Sequence, residues 1–213
     1  MGFGLTLPPS YSWFPTGERL RIPYEAAQGR RVNAIGAYFT HGPRAGHLEY
    51  QTWAALPKSR AKSRAKTRRT SPEERAAAHG LQVEDVGPID ADRFAAFVWQ
   101  VAQRPTGAPA DWRRARPLVI VLDNYSVHKS QTVADTRAAW AAAGIELVYL
   151  PSYCPDLSAI EPIWNDTKQH HLPTRSFPQV AQLKSAVEDA LAAKAQRLWE
   201  AAVKTTTVHR RAA

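Results

Sequence analysis

The stretch Leu118–Val119–Ile120–Val121–Leu122 is apolar without a break and runs straight into Asp123. Unbroken rather than alternating apolarity is the pattern of a strand covered on both faces. A helical stretch follows over about 132–143, Gly144 stops it, and 145–150 forms a second short apolar run. Strand, helix and strand at this spacing make a βαβ unit, which pairs its strands in parallel. That unit constrains the fold more than any other feature, because it demands an α/β sheet with helices laid over it. Catalytic groups in such sheets gather at the carboxyl ends of strands. Asp123 stands there.

The first half is less regular. Its opening, LPPSYSWFPTGERL, is rich in prolines and turn formers and reads as loop. Residues 32–40 and 47–52 read as strands joined by a turn at Gly42–Pro43. Ser71, Pro72 and Glu74 spell a capped helix start, with Gly80 placed to end it. A longer helix from Asp90 sets Phe94, Phe97, Val98 and Val101 on one face, and residues 104–116 form a connector. Near the other end a helix is expected over 178 to about 198, with Ser176 and Gln179 as a capping pair. It sets Val180, Leu183, Val187, Leu191 and Leu198 on a core-facing stripe. Residues 1–203 thus read as one domain, and 204–213 as a basic tail expected to fray.

Charge points towards a polyanionic partner. The 213 residues hold 28 Lys and Arg against 19 Asp and Glu, a net charge of +9. Such an excess favours nucleic acid, although an Arg- and Ala-rich composition alone also produces it. The excess is concentrated in the repeat KSRAKSRAKTRR, where Lys58, Arg60, Lys62, Arg64, Lys66, Arg68 and Arg69 have no acid among them. A run so dense in like charge repels itself into a loop (58–70) suited to phosphate backbone without base readout, or simply to solvent. The single cysteine, Cys154, excludes an intrachain disulfide and fits a reducing, cytoplasmic compartment. No apolar run approaches the roughly 20 residues that cross a bilayer, and the N-terminus lacks a signal peptide's basic flank.

Two carboxylates stand out. Asp123 ends the first strand of the βαβ unit, and Glu161 lies in the first turns of a helix expected over about 159–169 beyond the second. One strand–helix–strand turn and a loop fill the interval, so both side chains can reach one edge of the sheet. Paired carboxylates suit Mg²⁺ or Mn²⁺, since hard ions prefer oxygen donors. Plainer readings stay open: Ser158-x-x-Glu161 is also a capping box, and Asp123–Asn124 is also an ordinary strand-end turn. Trp164 and Lys168 fall on the same side of the helix as Glu161, adding an aromatic anchor and a cation. His170 and His171 are adjacent, so a helix would not let them converge on one metal.

VLDNYSVHKS at 121–130, followed by LVYLPSYCPDLSAIEPIWNDTK at 147–168, resembles the DDE endonuclease domain of mariner-like and related bacterial insertion-sequence transposases. The likeness extends over essentially the whole chain. It implies an RNase H-like fold, a central mixed sheet of about five strands flanked by helices. It also implies three acids that bind two divalent ions, with Asp123 as the second acid and Glu161 as the third. Asn124, His128 and Trp164 stand as neighbours of the acids, and Lys168 with the 58–69 basic residues as DNA contacts. The activity implied is hydrolytic nicking at transposon ends followed by strand transfer into target DNA, by a homodimer. In that family the first acid lies on the first strand, ahead of a segment like Met1–Gly2–Phe3, so an incomplete first strand is expected here. The alternative expectation is a catalytically inactive remnant that only binds DNA or an intact subunit.

Overall fold

Residues 31–55 form a hairpin whose alternation is resolved by two different cores. In the computed structural model, which describes residues 1–4, 15–18, 31–56, 71–151, 154–172 and 177–211, strand β1 spans Gly2–Gly4, β2 Arg31–Tyr38 and β3 Leu48–Ala55. They pair antiparallel in the order β1-β2-β3. On β2, Val32 and Ala34 are fully buried in a first cluster with Phe3 and Ala54, whereas Ile35 packs on a second.

The helices follow from their caps and their faces. Helix α1 (Pro72–Ala77) starts on the Ser71–Glu74 capping box that the sequence spells, both of its bonds in place. Helix α2 (Ala91–Val101) is capped by Asp90 and buries Phe94, Phe97, Val98 and Val101, the expected face. Strand β4 (Leu118–Leu122), helix α3 (Gln131–Ala142) and strand β5 (Ile145–Tyr149) form the expected βαβ unit, with β4 and β5 parallel. Helix α4 is Glu161–Asp166 and α5 is Val180–Arg211.

Helix α5 holds the first core together. Val180, Leu183, Val187 and Leu191 are all 0% exposed against Phe3, Val32 and Ala34, and burying each such side chain is worth roughly 1.5–3 kcal/mol. A polar clasp fixes the helix over β3: Lys184 lies 3.0 Å from Asp85 and 2.6 Å from Glu188, which also accepts the Thr52 hydroxyl at 2.6 Å. Its backbone continues to Arg211, past the expected end near 198 and through most of the expected frayed tail. No Gly or Pro interrupts 180–211, so nothing in the sequence stops the helix. Ser176, half of the expected capping pair, lies outside the described residues.

Two expectations change. Among the described residues five strands form two hydrogen-bonded sheets, β1-β2-β3 and β4-β5, where one mixed sheet was expected. The halves meet through side chains instead: Ile35 packs into the second cluster, Gln51 hydrogen-bonds Gln100, and Arg44 donates to the Val101 carbonyl at 3.2 Å. Nor is β4 covered on both faces. Leu118, Ile120 and Leu122 face α2 and α3, but Val119 and Val121 are each 55% exposed and Val148 on β5 is 41% exposed. The cause is the reach of the first cluster, which gathers on β1–β3 and includes no residue of β4 or β5.

Helix α2 ends on Gln103, a non-glycine residue at φ +56°. The Arg104 N–H donates to the Trp99 carbonyl at 3.1 Å across this left-handed position, where glycine is the usual occupant. Gln103→Gly should therefore stabilise the fold by about 0.5–1 kcal/mol. The check is a thermal melt, with a rise of roughly 1–4 °C expected.

Candidate active site

Asp123 is the first residue past β4. The strand-end turn is present: the Tyr125 N–H donates to Asp123 Oδ1 at 3.0 Å. His128 Nδ1 reaches the same oxygen at 2.9 Å. An ionised carboxylate only accepts, so this imidazole nitrogen carries the hydrogen. Among the described residues Oδ2 has no hydrogen-bond partner, and the side chain is 60% exposed. The turn thus fixes one oxygen and leaves the other open, so turn and ligand are compatible roles. Asn124 donates from Nδ2 to the Leu150 carbonyl at 2.6 Å, clasping the ends of β4 and β5.

Glu161 is the first residue of α4, and the Ser158 capping box does not form. The N-cap is Ile160, without a side-chain bond, and Ser158 offers only its carbonyl to the Glu161 N–H at 3.1 Å. The carboxylate is therefore not used up in capping. At a helix's amino end a negative charge gains about 0.3–1 kcal/mol.

What aims α4 is Trp164, 4% exposed, whose ring fills a notch over β2. A Cβ on Gly36 would stand 2.8 Å from Trp164 Cη2 and Cζ2. Next to it Thr167, fully buried, donates to the Ile163 carbonyl at 2.8 Å. Trp164 is thus a packing anchor. The chain then winds into a π-helical turn, Thr167–His171. This turn is tied to α5 through Asp166, which accepts from Lys194 Nζ at 2.6 Å and sits 2.9 Å from His171 Nε2. Lys168 lies with its ammonium 5.6 Å from the centre of the Phe3 ring. Burial holds it below the ordinary lysine range, with Glu161 pulling the other way.

The Met1 ammonium donates to the Ala34 carbonyl at 3.0 Å, and burial lowers its pKa, while Glu161 and Asp123 both oppose that shift. The charges of both acids are thus felt at this half-buried ammonium beside β2. Among the described residues no group of three or more His, Cys, Asp or Glu gathers to hold a metal. The basic residues Lys58, Arg60, Lys62, Arg64, Lys66, Arg68 and Arg69 lie outside the described residues.

Sequence reasoning missed Tyr149 and a second role of Phe94. The Tyr149 hydroxyl donates to the His128 carbonyl at 2.6 Å, and the Phe94 ring lies tilted against His128 with centroids 4.5 Å apart. The parallel register held a signal for Tyr149, since it places this residue beside Leu122, next to Asp123.

Asp123 thus follows the end of a parallel strand and Glu161 opens a helix, each with carboxylate oxygen left unbonded among the described residues. Residues 80–184 match the DDE superfamily endonuclease family. This DDE endonuclease match includes both acids, all of β4, α3, β5 and α4, and the first turn of α5. It supports nuclease- or transposase-type activity with DNA as substrate, and DDE endonucleases typically use divalent metal ions. No curated protein matches the chain. Among the described residues no helix is long and apolar enough to cross a membrane.

Gly36→Ala should force Trp164 out of its notch and cost about 1–3 kcal/mol by overpacking, measured as a lower midpoint in urea. The Asp166 tie should give the site a pH dependence. Hydrogen bonding from Lys194 first, and from His171, holds the Asp166 carboxyl below its ordinary value. A folded pKa below the unfolded one gives stability that is present above the unfolded value and lost as pH falls through the folded one. The stability gap between wild type and Lys194→Met should therefore close between about pH 5 and pH 2, as urea melts across that range would show.

Proposed function

We propose that the chain is the catalytic domain of a DNA transposase of the bacterial insertion-sequence, mariner-like kind. It cleaves DNA strands at the ends of its element and transfers the 3′-hydroxyl to target DNA. One observation supports this reading above the rest: Asp123 follows the carboxyl end of β4 and Glu161 opens α4, both inside the DDE endonuclease match and both with carboxylate oxygen unbonded among the described residues.

The donors fit a hard divalent ion. Asp123 Oδ2 and the Glu161 carboxylate offer oxygen only, without thiolate, and the nearest imidazole is turned towards Oδ1. Mg²⁺ or Mn²⁺ bound in a complete two-ion site would activate water or a 3′-hydroxyl and stabilise the leaving oxygen of a phosphodiester. In this reading Asp123 and Glu161 hold the metal, and Lys168, drawn towards Glu161, meets a phosphate. The 58–69 basic residues follow the DNA backbone, where counterion release supplies affinity without sequence. The chain works in the cytoplasm as a homodimer on transposon ends and target.

The test is a Mn²⁺ titration of wild type, Asp123→Ala and Glu161→Ala, followed by nicking of supercoiled DNA. Each variant should bind Mn²⁺ at least about tenfold more weakly, since each removes one of two protein ligands. Equal affinity in all three proteins would remove both acids from the site. Metal binding without nicking at any Mn²⁺ concentration would favour the alternative, a chain that only binds DNA or an intact subunit.

A further inference from the structure

We propose that His128 and Tyr149 form a two-step brace that locks Asp123 Oδ1 and presents Oδ2 as the only oxygen Asp123 offers to a cation. The inference rests on the acid-site reading above and adds two positioning residues to it. It starts from an asymmetry: both short contacts to the Asp123 carboxylate, from the Tyr125 N–H at 3.0 Å and from His128 Nδ1 at 2.9 Å, fall on the same oxygen. A carboxylate rotating freely about χ2 would present either oxygen, or both. Two donors on Oδ1 remove that freedom.

The imidazole can do this because it is itself held. Its side chain is 15% exposed although it belongs to a surface turn, Ser126–Lys129. One face lies against Phe94 of α2, itself 3% exposed, at 4.5 Å between centroids, and the Tyr125 ring meets it edge-on at 5.8 Å. Nδ1 also lies 3.3 Å from the Asp123 carbonyl. The backbone of the turn is fixed from the other side by Tyr149, whose hydroxyl donates to the His128 carbonyl at 2.6 Å. Tyr149 is in turn the last residue of β5 and the register partner of Leu122. Strand β5 therefore reaches Asp123 twice, once through the ladder to Leu122 and once through Tyr149 and His128. A ligand carboxylate held by such outer hydrogen bonds needs no reordering when a cation arrives, and losing such partners typically weakens metal binding 10–100-fold.

The test separates the donor from the ring. His128→Phe keeps a ring against Phe94 and removes the donor, and His128→Asn places an amide N–H where Nδ1 was. Tyr149→Phe removes only the hydroxyl. In Mn²⁺ titrations the Phe variant at 128 should bind about tenfold more weakly, the Asn variant should recover most of that loss, and Tyr149→Phe should fall between them. A Phe variant that melts like wild type and binds Mn²⁺ equally well would overturn the brace. If the Phe variant does not fold, the Asn and Tyr149→Phe variants decide: tighter binding in the former than in the latter, with the latter weaker than wild type, supports the brace, and any other pattern sinks it. A second readout needs no metal. The ¹⁵N spectrum of the His128 ring should show hydrogen on Nδ1 in wild type and lose that preference in Asp123→Ala; an unchanged ring overturns the brace. Should Asp123→Ala bind Mn²⁺ as tightly as wild type, the acid-site reading fails, and the ring spectrum still decides the brace by itself.

Discussion

The contact on which the rest depends is the one between the Trp164 ring and the bare backbone of Gly36. A helix that opens with Glu161 is only two turns long, too short to be stable alone. It holds its place because Trp164 and Ile163 drop into the core and the ring meets β2 where no side chain stands. From there the Phe3, Val32 and Ala34 layer and the α5 stripe form one continuous packed body. The direction of the Glu161 carboxylate is thus inherited from the core.

Asp123 is placed by different means. Its position comes from a strand pair and a turn, through hydrogen bonds from Tyr125, His128 and Asn124, with little buried area of its own. One acid is set by packing and the other by polar contacts. Between the two cores runs β2, whose alternate side chains belong to different clusters.

Much of this was legible in the residues, for identifiable reasons. The βαβ unit, the Ser71–Glu74 capping box and the Phe94–Val101 face rest on local rules, periodicity and capping, that tertiary context had no cause to overrule. Asp123 could be placed at a strand end because the apolar run stops there. What could not be read was non-local. Whether Ser158 caps α4 depends on a loop that makes Ile160 the N-cap. The coverage of LVIVL depends on where α5 lies, and its apolar run looks the same whether one face is covered or two. Trp164 could be read as an anchor, but its notch could not, because Gly36 is distant in sequence and silent in any pattern. Tyr149 was missed because an aromatic at the end of a strand is ordinary until its hydroxyl is seen to reach a turn.

The half-bare valines of β4 and β5 set a short-range attraction against a long-range repulsion. Like molecules carrying a net charge of +9 repel one another, while Val119, Val121 and Val148 draw any apolar surface that comes near. Repulsion acts at a distance and the valines act only on contact, so the charge protects the face as long as it is felt. Salt shortens that reach to about 10 Å at 0.1 M and about 3 Å at 1 M. Raising ionic strength, which loosens a basic protein's hold on DNA, therefore also removes the barrier that keeps its molecules apart.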